Sequence, residues 1–420
     1  MRLRANRATS KVQQSLSEGN YRRIVSSIGV KKKRLTTLDF LRGYFLFIII
    51  VDHVELYPSG LDFLTGRGRL WVSAAEGFFF ISGLLVAYIY RKKLLKGFSF
   101  GWIWKKMWRR AAQLYMCSIA LTLLFTYWAI ASGDKGIKYG LPAVIHWPQI
   151  IWDTALLRYS FGWADFLPHY VIFMVAAPFV FYLLAKGKWW VVVPASIFIW
   201  LHRGQEGFDL AWQTLFFGGM LAGFYWDTLL AKIRSWSAPR KVLLRRTVYT
   251  LAGVTFICSY LSVFLLSELN AQAGALPSWL VGITMHWDAI NTSAWHYLEK
   301  WTMEPGRMAT FAIWFAAVYI WCEAHAATIQ RMTRGAFEVL GRNSLFVYGL
   351  HALVIFVLHL ALRGHTTFWQ NFLITTGTLA VIWAITYAKE NLATLKLPMP
   401  VAPPHTATLS RLVIEKGETE

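Results

Sequence analysis

Three cysteines in 420 residues are too few for a disulfide framework. Cys117, Cys258 and Cys322 lie far apart, each inside an apolar run, so their spacing suits no metal site either, and none is expected. Acidic residues are scarce as well. Twenty-two Asp and Glu stand against 43 Lys and Arg, for a net charge of +21. The basic residues fall between apolar runs instead of forming one patch, which argues against a nucleic-acid partner. No stretch alternates apolar and polar residues over the length of a barrel strand. FLFIII and WVVVPASIFIW are continuous, which excludes a β-barrel. No internal repeat is visible. The first apolar run starts near residue 38 and is too long and too charged for the core of a signal peptide.

What is present is apolar length. The chain is 56% hydrophobic, with 22 Trp, and many runs approach the ~20 residues that cross a bilayer. The expected fold is all-α, a polytopic membrane protein with about ten transmembrane helices. The spans fall near 38–57, 73–90, 110–131, 166–185, 189–201, 210–230, 247–268, 308–328, 344–362 and 368–388. Residues 1–34 read as a basic, disordered cytosolic arm, 35–390 as the membrane domain, and 391–420 as a disordered cytosolic tail. With the N-terminus inside, the connections on the cytosolic side carry 19 Lys and Arg and the opposite loops carry 9. That bias places both termini in the cytosol and the lipid bilayer around the domain, as in a plasma or bacterial inner membrane. The long outer loops at 132–165 and 269–307 are too aromatic for free coil. They are expected to hold short interfacial or re-entrant helices.

Ionisable residues within these spans are the candidates for chemistry. Arg42 and His53 are eleven residues apart in the first span, about three helical turns, so they share a face about 16 Å apart along the axis. Asp39 suits the positive end of that helix and is placed to pair with Arg42. Asp52 adjoins His53 but points about 100° away around the helix, so adjacency alone does not join them. Glu76 opens the second span at a depth close to that of His53. A carboxylate and an imidazole at one level make His53 and Glu76 a candidate acid-base pair. Ser82 and Gly83 offer a small-residue surface for close helix packing. Arg91, Lys92 and Lys93 end the second span as a topology signal.

Four segments carry a family resemblance: RLTTLDFLRGYFLFIIIVDH, AAEGFFFISGLLVAYIY, DFLPHYVIFMVAAP and LGRNSLFVYGLHALVI. Together, and in this order, they resemble the OpgC branch of the transmembrane acyltransferase-3 class, named for succinyl transfer to osmoregulated periplasmic glucans. The Arg42-x10-His53 spacing is the most telling element. The resemblance implies a ten-helix acyltransferase with an acyl-CoA donor in the cytosol and a glycan acceptor on the far side. It implies His53 as base or acyl carrier, with Asp52 and Glu76 beside it, and Arg42 at the donor end. His351 stands where the class carries a late-span histidine, a substrate-binding candidate. His169 departs from the pattern, in a place where an apolar residue is expected.

Acyl-CoA (succinyl-CoA or acetyl-CoA) is expected as donor substrate, with no permanently bound cofactor. A collar including Arg91, Lys92, Lys106, Arg109 and Arg110 is placed to hold its phosphates. Acyl group, acceptor and oligomeric state, a homo-oligomer among the options, are open at this point. So is the choice between direct transfer and an acylated His53. A proton-coupled transporter built on the same ionisable cluster is the competing reading. The absent repeat symmetry counts against it.

Overall fold

The computed structural model describes residues 36–133, 141–142, 144–203, 208–265, 269, 277–362 and 366–395. The expected basic arm and residues 396–420 of the expected tail lie outside the described residues. Among the described residues the chain is helical, with no strand. Each of the ten apolar segments falls on a helix, two of these helices being short (Trp189–Leu201 and Phe208–Phe224), and the sixth segment breaks at Tyr225 before a separate helix, Trp226–Ser235. The helices that carry the segments are α1 (Thr36–Val54), α2 (Ala74–Leu95), α3 (Phe100–Ala131), α4 (Phe166–Ala185), α5 (Trp189–Leu201), α6 (Phe208–Phe224), α7 (Ala238–Ser259), α8 (Pro305–Ala324), α9 (Ser344–Ala361) and α10 (Phe368–Leu395).

Local chemistry sets several of the starts. Ser73 precedes α2, and its backbone N–H and hydroxyl both donate to Glu76 Oε2, at 2.9 and 2.5 Å. Ser99 precedes α3 and accepts the Trp102 N–H at 3.2 Å. Pro305 opens α8, where a helix has no use for an N–H. Among the described residues five helical segments are long and apolar enough to cross a bilayer, and six if α8 and the helix Ala326–Thr333, bent by 80°, form one span. Helix α1 falls outside that set because Asp39, Arg42 and Asp52 interrupt it. Large apolar side chains stay exposed on the outer helices. Trp190 is 61% exposed, Leu243 65% and Ile257 58%. Water would penalise such a surface and lipid would not, so this is a membrane protein.

The centre of the bundle is α2 with α4 and α6. Phe79, Phe173, Trp212 and Phe216 are all buried there, and the Phe79 and Phe166 rings stack 4.0 Å apart. Glycines bring the backbones together. A Cβ on Gly83 would lie 1.9 Å from the Phe216 carbonyl oxygen, and one on Gly219 2.1 Å from that of Phe80. The packing expected of Gly83 is present.

A second close contact was not expected. The connection before α9 reads as a loop in the sequence, yet it forms two helices, Ala326–Thr333 and Ala336–Arg342. Arg334 and Gly335, both at positive φ, turn the chain between them. The second helix then seats against α1. Gly43 meets the Phe337 carbonyl, and a Cβ on Gly341 would lie 1.9 Å from the Asp39 carbonyl oxygen. Burial against α1 decides this helix, and periodicity over seven residues is too short to show it.

The segments 132–165 and 269–307 hold the helices Trp147–Ala155 and Ser278–Trp295, the second of 18 residues and so longer than the short helices expected there. Residues Tyr260–Leu265 continue α7 as a π-helical turn, and α10 runs to Leu395, past the expected boundary at 391. Gly341→Val should lower thermal stability by about 3 kcal/mol through overpacking. Gly253→Ala, with nothing within 4 Å of its Cβ, should leave stability unchanged. Thermal unfolding in detergent compares the two. Equal melting would mean that the α1 contact contributes nothing.

Candidate functional site

Helices α1 and α9 meet through two histidines. His53 Nδ1 lies 3.1 Å from His351 Nε2, with the ring centroids 5.3 Å apart. His351 is 0% exposed, and its Nδ1 is bonded to the Tyr348 carbonyl one turn back on α9. A carbonyl only accepts, so His351 Nδ1 carries a proton. With both rings neutral, His351 Nε2 then accepts from His53 Nδ1–H. This orders the chain in one direction and leaves the His53 Nε2 lone pair without a hydrogen-bond partner among the described residues. The Tyr348 hydroxyl donates to the Trp163 carbonyl at 3.1 Å and holds that part of α9 in place. Further along α9, His359 Nε2 donates to the Val54 carbonyl at 3.2 Å.

Asp52 faces the other way, toward the segment between α1 and α2. Its Oδ2 stands against Gly68, and its Oδ1 is buried without a hydrogen-bond partner. Tyr57 donates to the Asp52 carbonyl at 2.7 Å. In the same segment buried Asp62 accepts Arg67 Nε and Nη2 at 2.8 and 2.7 Å and the Ser59 N–H at 2.9 Å. Arg67 lies over the rings of Tyr57 and Phe264, at 4.6 and 5.4 Å. The Trp71 N–H donates to Ser259, and Tyr260 donates to the Phe63 carbonyl, both at 2.9 Å. The end of α7 and its π turn thus anchor this folded segment, which lies on the Asp52 side of α1.

Glu76 has its own partners. Oε2 takes the two Ser73 bonds, and Oε1 accepts Arg307 Nε at 2.5 Å. Arg307 Nη1 donates to the Leu298 carbonyl at 3.2 Å. Nη2 also lies 2.5 Å from Oε1, though without hydrogen-bond alignment. Both residues are buried, at 0 and 1% exposure. The bond joins the starts of α2 and α8. Among the described residues no hydrogen bond links His53 to Asp52 or Glu76, so the expected trio does not form one bonded cluster. The structure joins His53 to His351 instead.

At the other end of α1, Arg42 sits 5.7 Å from the Phe78 ring, and its Nε is buried without a hydrogen-bond partner. Two cavities meet here, of about 370 and 610 Å³, and both are lined by Arg42, Arg110 and Gln113. The smaller also draws on Ser82, Lys106 and Arg109. The larger runs between α3 and α9 and draws on Arg342, Asn343 and Lys389. Arg42 and Arg109 thus line one cavity together, whereas Arg91 and Lys92 line neither. Arg91 lies over the Phe224 ring at 5.2 Å, and Lys92 bonds the Tyr88 hydroxyl. Ser82, expected as a packing residue, lines a cavity with its hydroxyl unpartnered. Among the described residues no three His, Cys, Asp or Glu side chains gather as metal ligands.

A paired imidazole deep in the bundle, on the same helix as an arginine lining cationic cavities, is the arrangement to compare with known proteins. A family model described as OpgC protein matches residues 34–394. The chain belongs to the OpgC family. Membership in the OpgC family points to a glucan-modifying, acyltransferase-like function. A comparison with curated proteins returned no match. The sequence alone did not point to Arg307, Tyr348, Arg342 or Lys389. The signal for Arg307 was present: a cation in the first turn of an apolar helix needs a buried partner, and Glu76 opens the neighbouring span. Arg307→Met should cost about 3–5 kcal/mol by leaving Glu76 buried with its Ser73 bonds and no cation beside it. The double variant with Glu76→Gln should recover part of that loss in thermal unfolding. No recovery would show that the pair is not coupled.

Proposed function

We propose that this OpgC-family protein is an inner-membrane O-acyltransferase. It moves a succinyl or acetyl group from cytosolic acyl-CoA to a hydroxyl of a glycan on the opposite face. Ten crossings with both termini in the cytosol complete this reading, supported by the 19-to-9 bias of basic residues. The observation that carries it is the ordered His53–His351 pair between α1 and α9. His53 Nε2 presents a lone pair, and Arg42, eleven residues earlier, lines cavities rich in cations.

The chemistry follows from that placement. CoA is polyanionic and stays on the cytosolic side, with Arg42 and Arg110 to meet its charge. Its slender arm carries the thioester along α1 toward His53. The acceptor hydroxyl attacks the thioester carbon as His53 Nε2 removes its proton. The carbon–sulfur bond breaks, the CoA thiolate leaves, and the proton returns to it. His351 acts as a positioning residue: it holds the His53 ring in the tautomer whose Nε2 is free. Asp52 faces the folded segment between α1 and α2, and Glu76 braces the outer ends of α2 and α8. Direct transfer is favoured over an acylated His53 because the ordered pair already supplies a base.

His53→Ala should lower turnover by about 10²–10⁴-fold, the usual contribution of a general base. Release of CoA thiol by purified protein with a carbohydrate acceptor measures it. Unchanged turnover at equal expression would overturn the mechanism. His351→Ala should reduce kcat by a smaller factor and leave the donor KM unmoved. Arg42→Ala should raise the donor KM instead. An unaltered KM would return Arg42 to a packing role.

A further inference from the structure

The larger cavity has a polar mouth that the expected collar does not account for. Arg342 donates to Glu390 Oε1 through Nε at 3.0 Å and Nη2 at 2.6 Å. Asn343 Nδ2 holds the other oxygen of Glu390 at 2.9 Å, and Lys389 Nζ donates to Asn343 Oδ1 at 3.0 Å. Arg342, Asn343 and Lys389 all line the cavity. So do Arg110 and Arg42, whose buried Nε has no hydrogen-bond partner. The first turn of α9 lines it too, through Ser344, Leu345 and Phe346, which adds the positive end of an 18-residue helix. Three arginines, a lysine and a helix start thus surround one space, and the carboxylate at its edge holds just one of these cations, Arg342. The Arg342–Glu390 pair is a quarter exposed, so solvent and solutes reach it.

We propose that Arg342 and Lys389, with Arg110, form the site for the phosphate groups of the nucleotide donor, and that Glu390 occupies Arg342 until those phosphates arrive. The inference rests on the acyl-CoA reading and assigns its charged end to the α9–α10 side of the bundle. Arg91 and Lys92, engaged with Phe224 and Tyr88, are left outside the site. Glu390 is a stand-in anion: a phosphate presents more acceptor oxygens and more charge to the same guanidinium. Displaced, Glu390 is released to solvent at the cytosolic end of α10.

Titration calorimetry on the full chain in detergent tests this, with free CoA and 3′,5′-ADP as probes. Arg342→Ala and Lys389→Ala should each weaken binding of both probes about tenfold, as loss of a charged hydrogen bond does. Glu390→Gln should tighten binding about threefold by removing the competing anion. Thermal unfolding identifies a misfolded Arg342→Ala. In that event Lys389→Ala, which leaves the Arg342–Glu390 pair intact, decides. If wild type binds CoA and all soundly folded variants match it, this assignment falls and the donor reading stands. If wild type binds no CoA, both fall. Anionic phosphatidylglycerol in mixed micelles is the remaining arm. If Arg342→Ala weakens binding of that lipid and not of CoA, the cluster serves headgroups and the assignment is overturned.

Discussion

Polar and charged groups taken into an apolar bundle need partners, because lipid offers none. In this chain that requirement is met by pairs that each tie together elements distant in sequence. His53 and His351 join α1 to α9. Glu76 and Arg307 join α2 to α8. Thr37 donates to Glu323 at 2.6 Å and joins α1 to α8 again. The same bonds that satisfy buried groups therefore set the register of the helices. A site built from them is rigid as a consequence of the medium.

The exceptions then carry information. Arg42 Nε, Asp52 Oδ1 and the Ser82 hydroxyl are buried and have no hydrogen-bond partner. Two of these residues line the cavities at one end of α1, and the third lies beside His53. Other buried side chains without a hydrogen-bond partner lie elsewhere, among them the Trp104 and Trp226 indoles and the Thr122 and Thr375 hydroxyls, while aromatic rings and glycine contacts fill the α2–α4–α6 centre.

Much of the architecture was legible in the sequence. Each apolar segment falls mostly on helix, with a break at Tyr225 in the sixth, because long apolar runs without alternation admit little else in a membrane protein. Arg42 and His53 could be placed on one helix because helix geometry is local. Gly83 could be read as a packing position because small residues have few other uses in such a run. The OpgC resemblance rested on segments in four helices that the family match now covers. The helix Ala336–Arg342 was not legible. It is short, and burial of its glycine face against α1 makes it form.

The partners of the ionisable residues were decided only in three dimensions. Sequence proximity and equal depth suggested Asp52 and Glu76 for His53, yet the bonded partner is His351, 298 positions away. Glu76 is claimed by Arg307, 231 positions away. Local sequence sets which residues lie on a helix and at what height, since rise and turn per residue are properties of the backbone alone. Which face meets which neighbour depends on how the helices rotate and pack, and that is settled jointly by distant segments through glycine contacts and buried polar pairs.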